Sequence, residues 1–221
     1  MGKTFRVVVC GTKACGKTSI IEKAIYNKSG VIMNYIHTIS TISLQYIWSN
    51  ENLFQPFPAT VEDIFVADIK NDRGTVEQLR LYDTAGLESN SSTLKEDLPK
   101  HLFPFAEGYI LVFGLDDEHS FQVVDVIRKE VEHYKDNKKE LVIVVLGNKS
   151  DIDATKRQVE TVQALNWAAR EKVKYFEVSA FDRASLFEPF VYLASKLNPP
   201  HNKSSFSQLT MGRAKQAKPT E

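Results

Sequence analysis

The sequence predicts an α/β fold, a six-stranded and mostly parallel sheet with helices on both faces, and three observations lead to it. Near-continuous apolar runs at residues 109–115 and 141–146 read as strands covered on both sides. Between the runs lie helical periods: Phe121, Val124, Ile127 and Val131 repeat every three or four residues, as do Leu186, Phe190, Leu193, Ala194 and Leu197. A glycine-bearing loop joins the first strand directly to the first helix. Such alternation means parallel strands linked by helical crossovers, with ligands at the carboxyl ends of the strands.

In chain order, Phe5-Arg6-Val7-Val8-Val9-Cys10 is a buried strand, and a helix is expected over 17–26. Residues 64–69 and 77–82 are two short strands; Asn71-Asp72-Arg73-Gly74 between them is rich in turn formers, so they pair as a hairpin. The runs at 109–115, 141–146 and 173–178 complete the six. Residues 29–57 fit the pattern badly, being almost uncharged and rich in Ile, Ser, Asn and Tyr. That segment is either a binding loop or a stretch read from non-coding sequence. From His201 onward Ser, Lys, Gln and Pro dominate, which predicts a disordered tail. The expected division is one domain over 1–200, with an atypical insertion at about 29–57, and a tail over 201–221.

Composition narrows the function classes. The chain has 221 residues, 43% of them apolar, with 28 basic and 28 acidic residues. The balanced charge exerts no long-range pull on nucleic acid or an anionic membrane, so no nucleic-acid partner is expected. Cys10 and Cys15 are the two cysteines, and their place beside the glycine loop argues against a disulfide and for a reducing compartment. No signal peptide or membrane span is legible. Gly2 is followed by Arg6 where a myristoylation motif wants Ser or Thr, and Lys218-Pro219-Thr220-Glu221 offers no prenylation cysteine. A cytoplasmic protein without a stable membrane anchor is the expectation.

Four motifs carry the chemistry. Gly11-Thr12-Lys13-Ala14-Cys15-Gly16-Lys17-Thr18 matches G-x-x-x-x-G-K-S/T between a strand and a helix. Its backbone N–H groups suit a β-phosphate, Lys17 supplies charge to the β- and γ-phosphates, and the Thr18 hydroxyl can ligate magnesium. In Asp83-Thr84-Ala85-Gly86 the carboxylate can hold magnesium through water, and the Gly86 N–H can meet a γ-phosphate. Asn148-Lys149-Ser150-Asp151 is more specific: Asp151 can accept two N–H donors that guanine presents together and adenine does not, while the Lys149 stem can cover the base. At Ser179-Ala180 a backbone N–H could meet the guanine O6.

These elements, in this order over residues 5–197, resemble the Ras superfamily and imply the P-loop small GTPase fold, with GTP or GDP and Mg2+ as cofactors. Pro58-Ala59-Thr60-Val61-Glu62-Asp63 resembles the Ras first switch, which adds Thr60 to Thr18 and Asp83 as implied magnesium ligands. A closer resemblance is to the kappaB-Ras group, the NF-kappa-B inhibitor-interacting Ras-like proteins. It rests on Leu98-Pro99-Lys100-His101, Val144-Val145-Leu146-Gly147-Asn148-Lys149, Leu193-Ala194-Ser195-Lys196-Leu197 and Lys203-Ser204-Ser205-Phe206, the last two having no part in nucleotide binding. It implies NF-kappa-B inhibitor proteins and the Ral GTPase-activating complex as partners.

Two departures from ordinary Ras bear on turnover. Lys13 stands where Ras has a glycine beside the γ-phosphate, and Leu87 where Ras has the glutamine that orients the attacking water. No intact catalytic residue is therefore expected. The reading is a GTP/GDP switch with weak hydrolysis, and Lys13→Gly with Leu87→Gln should restore most. A nucleotide-stabilised interaction scaffold and an actively cycling trafficking GTPase are the alternatives. The aromatic that stacks on guanine has three candidates, Tyr26, Phe54 and Phe57.

Overall fold

The apolar run that opens the chain becomes strand β1 (Thr4–Gly11), whose alternate side chains enter two different cores. Val8 and Cys10 pack with one cluster and Val7 and Val9 with the other, so this strand is buried on both faces. The structure, a computed structural model, describes residues 2–26, 59–88, 94–134 and 141–200. The segment 29–57, with Phe54 and Phe57, and the tail 201–221 lie outside the described residues.

The other elements follow the predicted order. Helix α1 (Lys17–Tyr26) leads to β2 (Glu62–Lys70) and β3 (Val76–Thr84), then β4 (Gly108–Gly114), α2 (Glu118–His133), β5 (Val142–Asn148), α3 (Thr161–Glu171), β6 (Lys174–Glu177) and α4 (Arg183–Leu197). The six-stranded sheet runs β2-β3-β1-β4-β5-β6; only the β2–β3 pair is antiparallel. Side chains of α1 and α4 fill the core on one face, those of α2 and α3 the core on the other. Asp117 and Asp182 cap α2 and α4, each accepting from a backbone N–H two residues on.

Helix α3 has no counterpart among the periods read from sequence. It buries Ala164, Trp167 and Ala168 while Val162 and Leu165 stand 67% and 50% exposed, so its apolar residues do not mark its inner face. The Trp167 indole donates to Asp125 of α2 at 2.9 Å, which pins the helix to its neighbour.

The hairpin turn explains a motif that nucleotide chemistry leaves aside. Asn71 accepts the Arg73 and Thr75 N–H groups on its side-chain oxygen, closing the turn. The Asp72 N–H then donates to Ser195 at 3.2 Å, and Arg73 donates to the Asn198 carbonyl. Buried Glu77 accepts from Asn198 at 2.6 Å and from the Lys3 N–H at 2.9 Å. Leu193 and Ala194 lie in the core, and Ser195 fastens the helix end to the hairpin, so this part of the chain is a structural clasp.

Candidate nucleotide site

The loop after β1 turns tightly because Ala14 and Gly16 take left-handed backbone angles, with φ of 58° and 97°. Gly16 is required twice over: a Cβ there would lie 2.2 Å from the Asn148 side-chain nitrogen. Lys17, the first residue of α1, is buried and donates to the Thr12 and Gly11 carbonyls at 3.0 and 3.4 Å. Thr12 Oγ1 is buried without a hydrogen-bond partner. Cys10 and Cys15 are free thiols; burial pushes Cys10 up to about 12 and raises Cys15, so both are held neutral.

Thr18, Thr60 and Asp83 meet at the mouth of this loop. Thr18 Oγ1 donates to Asp83 Oδ2 at 2.5 Å and lies 3.1 Å from Thr60 Oγ1. Asp83 is fully buried, and its other oxygen, Oδ1, has no partner. Burial raises its carboxyl to about 6, against the lowering effects of the Thr18 hydroxyl and the Lys17 ammonium. A small hard cation fits such a set, since two hydroxyls and a carboxylate are the oxygen donors it prefers and an orphaned carboxylate oxygen needs a charge beside it. Among the described residues no group of three or more His, Cys, Asp or Glu could hold a metal, so a cation here would complete its shell with phosphate and water.

Gly86 and Leu87 lie against the phosphate loop through their backbones. Lys13 N–H donates to Leu87 O at 2.9 Å and Leu87 N–H to Gly11 O at 3.0 Å, a short parallel bridge. A Cβ on Gly86 would lie 2.5 Å from Lys13 Cα, so no larger residue fits this approach. The Leu87 side chain is 4% exposed and belongs to the core cluster that includes Val8, Cys10 and Leu98. Lys13 ion-pairs with Glu88, the next residue along, at the exposed rim.

The β5–β6 end holds the residues expected from sequence to recognise the base, each fixed by another side chain or by backbone. Asn148 is buried; its amide donates to the Cys15 carbonyl at 2.8 Å and accepts from the Ala180 N–H at 3.0 Å, joining this end to the phosphate loop. Lys149 has a left-handed backbone, φ 70°, and its ammonium lies 2.8 Å from Asp116 after β4. Asp151 is exposed and accepts from the Ser179 hydroxyl at 2.5 Å, which sets the carboxylate's orientation. Asn148 already engages the Ala180 N–H and Ser185 Oγ the Ser179 N–H, so a guanine oxygen would share one of these donors.

Comparison with known proteins accords with this arrangement. The sequence model of the Ras family matches residues 39–199. The chain belongs to the Ras family. It is 44% identical over 206 residues to "NF-kappa-B inhibitor-interacting Ras-like protein 2" of Mus musculus, covering 93% of each chain. It is 43% identical to "NF-kappa-B inhibitor-interacting Ras-like protein 1" of Homo sapiens, covering 93% of this chain and 92% of the relative. It is 36% identical over 212 residues to "NF-kappa-B inhibitor-interacting Ras-like protein" of Drosophila melanogaster, covering 95% of this chain and 92% of the relative. Membership of the Ras family implies guanine-nucleotide binding.

Within this Ras-family site the sequence reading missed three residues. Asp116 orients Lys149 but stands in an Asp-Asp pair that looks like an ordinary turn. Glu88 is set against Lys13 only by the bridge between Thr12 and Leu87. Phe181, 82% exposed just beyond Ala180, is an aromatic that was not among the three candidates; of those, Tyr26 alone is described, at the end of α1. No helix among the described residues is long and apolar enough to cross a membrane.

Proposed function

We propose that this Ras-family chain is an atypical GTP/GDP-binding switch with slow hydrolysis, acting in the cytoplasm on NF-kappa-B signalling. The nucleotide-binding domain is taken as residues 1–200, with an insertion at about 29–57. Asp151, held by Ser179, accepts the paired donors of guanine, while Lys149, held by Asp116, covers the base. Lys17 and N–H groups of the loop over residues 11–16, other than that of Lys13, which Leu87 O holds, receive the phosphates. Magnesium would be held by Thr18, Thr60 and Asp83 and would neutralise charge on the β- and γ-phosphates.

The observation that carries the slow-hydrolysis reading is the burial of Leu87. At the position that would orient water, the side chain sits in the core with no group able to hydrogen-bond. Phosphoryl transfer depends on positioning and charge, so this loss removes turnover while leaving binding to other residues.

NF-kappa-B inhibitor proteins are the proposed partners, supported by the names of relatives 43–44% identical. Restraint of Ral through its GTPase-activating complex is proposed on the resemblance alone. Co-precipitation of a purified NF-kappa-B inhibitor with the chain loaded with GDP or a non-hydrolysable GTP analogue tests the reading. State-dependent capture supports a switch; equal capture makes the chain a scaffold whose nucleotide is structural; no capture removes this partner.

A further inference from the structure

The Lys13–Glu88 pair has no part in the functions assigned above, and it lies where the phosphate loop meets the segment after Asp83. Lys13 is fixed at its backbone on both sides: its N–H is held by Leu87 O at 2.9 Å, and Gly86 packs against its Cα. Its side chain is 57% exposed and ends on the Glu88 carboxylate, itself 63% exposed. Lys17, the other cation of the loop, is buried on the loop's own carbonyls. Lys13 is thus the loop cation whose ammonium stands in water at the rim, on a flexible four-carbon stem.

We propose that Lys13 exchanges partners with nucleotide state, pairing with Glu88 when a diphosphate is bound and turning to the terminal phosphate when a triphosphate is bound. This rests on the nucleotide-binding reading of the site. An exposed ion pair favours its own formation by only about fivefold at most, because water screens it and both side chains lose freedom. A terminal phosphate brings more negative charge and several acceptors than one carboxylate, and a charge-assisted contact to it shifts an equilibrium by about tenfold or more. The weakness of the pair is what makes it exchangeable. Glu88 would be released at the start of the segment after Leu87, so the chain registers a third phosphate without a side chain at position 87. The carboxylate sets the threshold, since it competes with phosphate for one ammonium.

The test is a double-mutant cycle on the ratio of GTP-analogue affinity to GDP affinity, measured by calorimetry in magnesium for the unmodified chain, Lys13→Met, Glu88→Gln and the double variant. Both side chains are exposed, and thermal unfolding checks that each variant folds. Glu88→Gln should raise the ratio about threefold by freeing Lys13. Lys13→Met should lower it about tenfold, and Glu88→Gln should then have no further effect. Equal ratios in all four proteins, or a Glu88 effect that persists without Lys13, overturns the exchange while leaving the nucleotide site in place. Failure of the unmodified chain to bind GDP overturns the site itself and the exchange with it.

Discussion

The two ends of the candidate site are built differently. At the β5–β6 end, Asn148, Lys149 and Asp151 are each fixed by a second group: Asn148 by Cys15 and Ala180, Lys149 by Asp116, Asp151 by Ser179. At the β1–β3 end the loop, Lys17 and the Thr18–Thr60–Asp83 corner are in place, but position 87 is turned inward and position 13 is tied to Glu88. Holding a nucleotide and cleaving it are separate physical tasks. One needs fixed donors and acceptors around groups already present; the other needs a side chain aimed at a water in the transition state. On the proposed reading, this chain keeps the means for the first and lacks the means for the second.

The contrast breaks first at Asp151 if it is wrong. Discrimination against adenine should be on the order of 10⁴, because a site built to hydrogen-bond a pair of donors on the base rejects a base that lacks them. Competition of GDP and ATP for the purified chain and for Asp151→Asn measures it, and the variant should lose most of the preference. The next effect is smaller and falls on both ends. Asn148→Ala would leave the Cys15 carbonyl and the Ala180 N–H unpaired, a loss of about 2–3 kcal/mol by thermal unfolding, with weaker nucleotide binding beside it.

At Leu87 the structure revises the expectation read from sequence. A glutamine placed in this core puts an amide into an apolar cluster, so Leu87→Gln should destabilise the chain by about 1–3 kcal/mol and restore little turnover. Chemical denaturation beside a hydrolysis assay separates this from the recovery that sequence alone suggests. The smallest effect concerns the insertion. Joining Asn27 to Phe57 through a few polar residues should change stability by only about 1 kcal/mol, because loop-closure entropy varies slowly with length. GDP affinity of the shortened chain is the measurement, and its collapse would make the segment part of the site.

How much was legible follows from the physics of each element. β1, β4 and β5 are buried on both faces and so read as unbroken apolar runs, and the hairpin turn declared itself through Asn71 to Gly74. Helix α3 stayed hidden because its inner face is two alanines and a tryptophan while Val162 and Leu165 face out. In the candidate site, the residues proposed to bind nucleotide sit at fixed motif spacings, so they could be named from sequence. The contacts that orient them could not: Asp116 meets Lys149 across 33 positions, and the hydroxyl of Ser179, a residue named only for its backbone, meets Asp151 across 28. The direction in which Leu87 points depended on a backbone bridge between two loops, which only the fold provides.

The central claim, a site that holds nucleotide without efficiently cleaving it, is tested most directly by single-turnover GTP hydrolysis on the purified, magnesium-loaded chain, with bound nucleotide quantified in the same sample. Ordinary Ras alone turns over at about 3–5 × 10⁻⁴ s⁻¹ and gains roughly 10⁵-fold from a partner's arginine. The account predicts stoichiometric guanine nucleotide with turnover below that unassisted rate. Hydrolysis at or above it, by the unmodified chain with Leu87 in the core, would contradict the account.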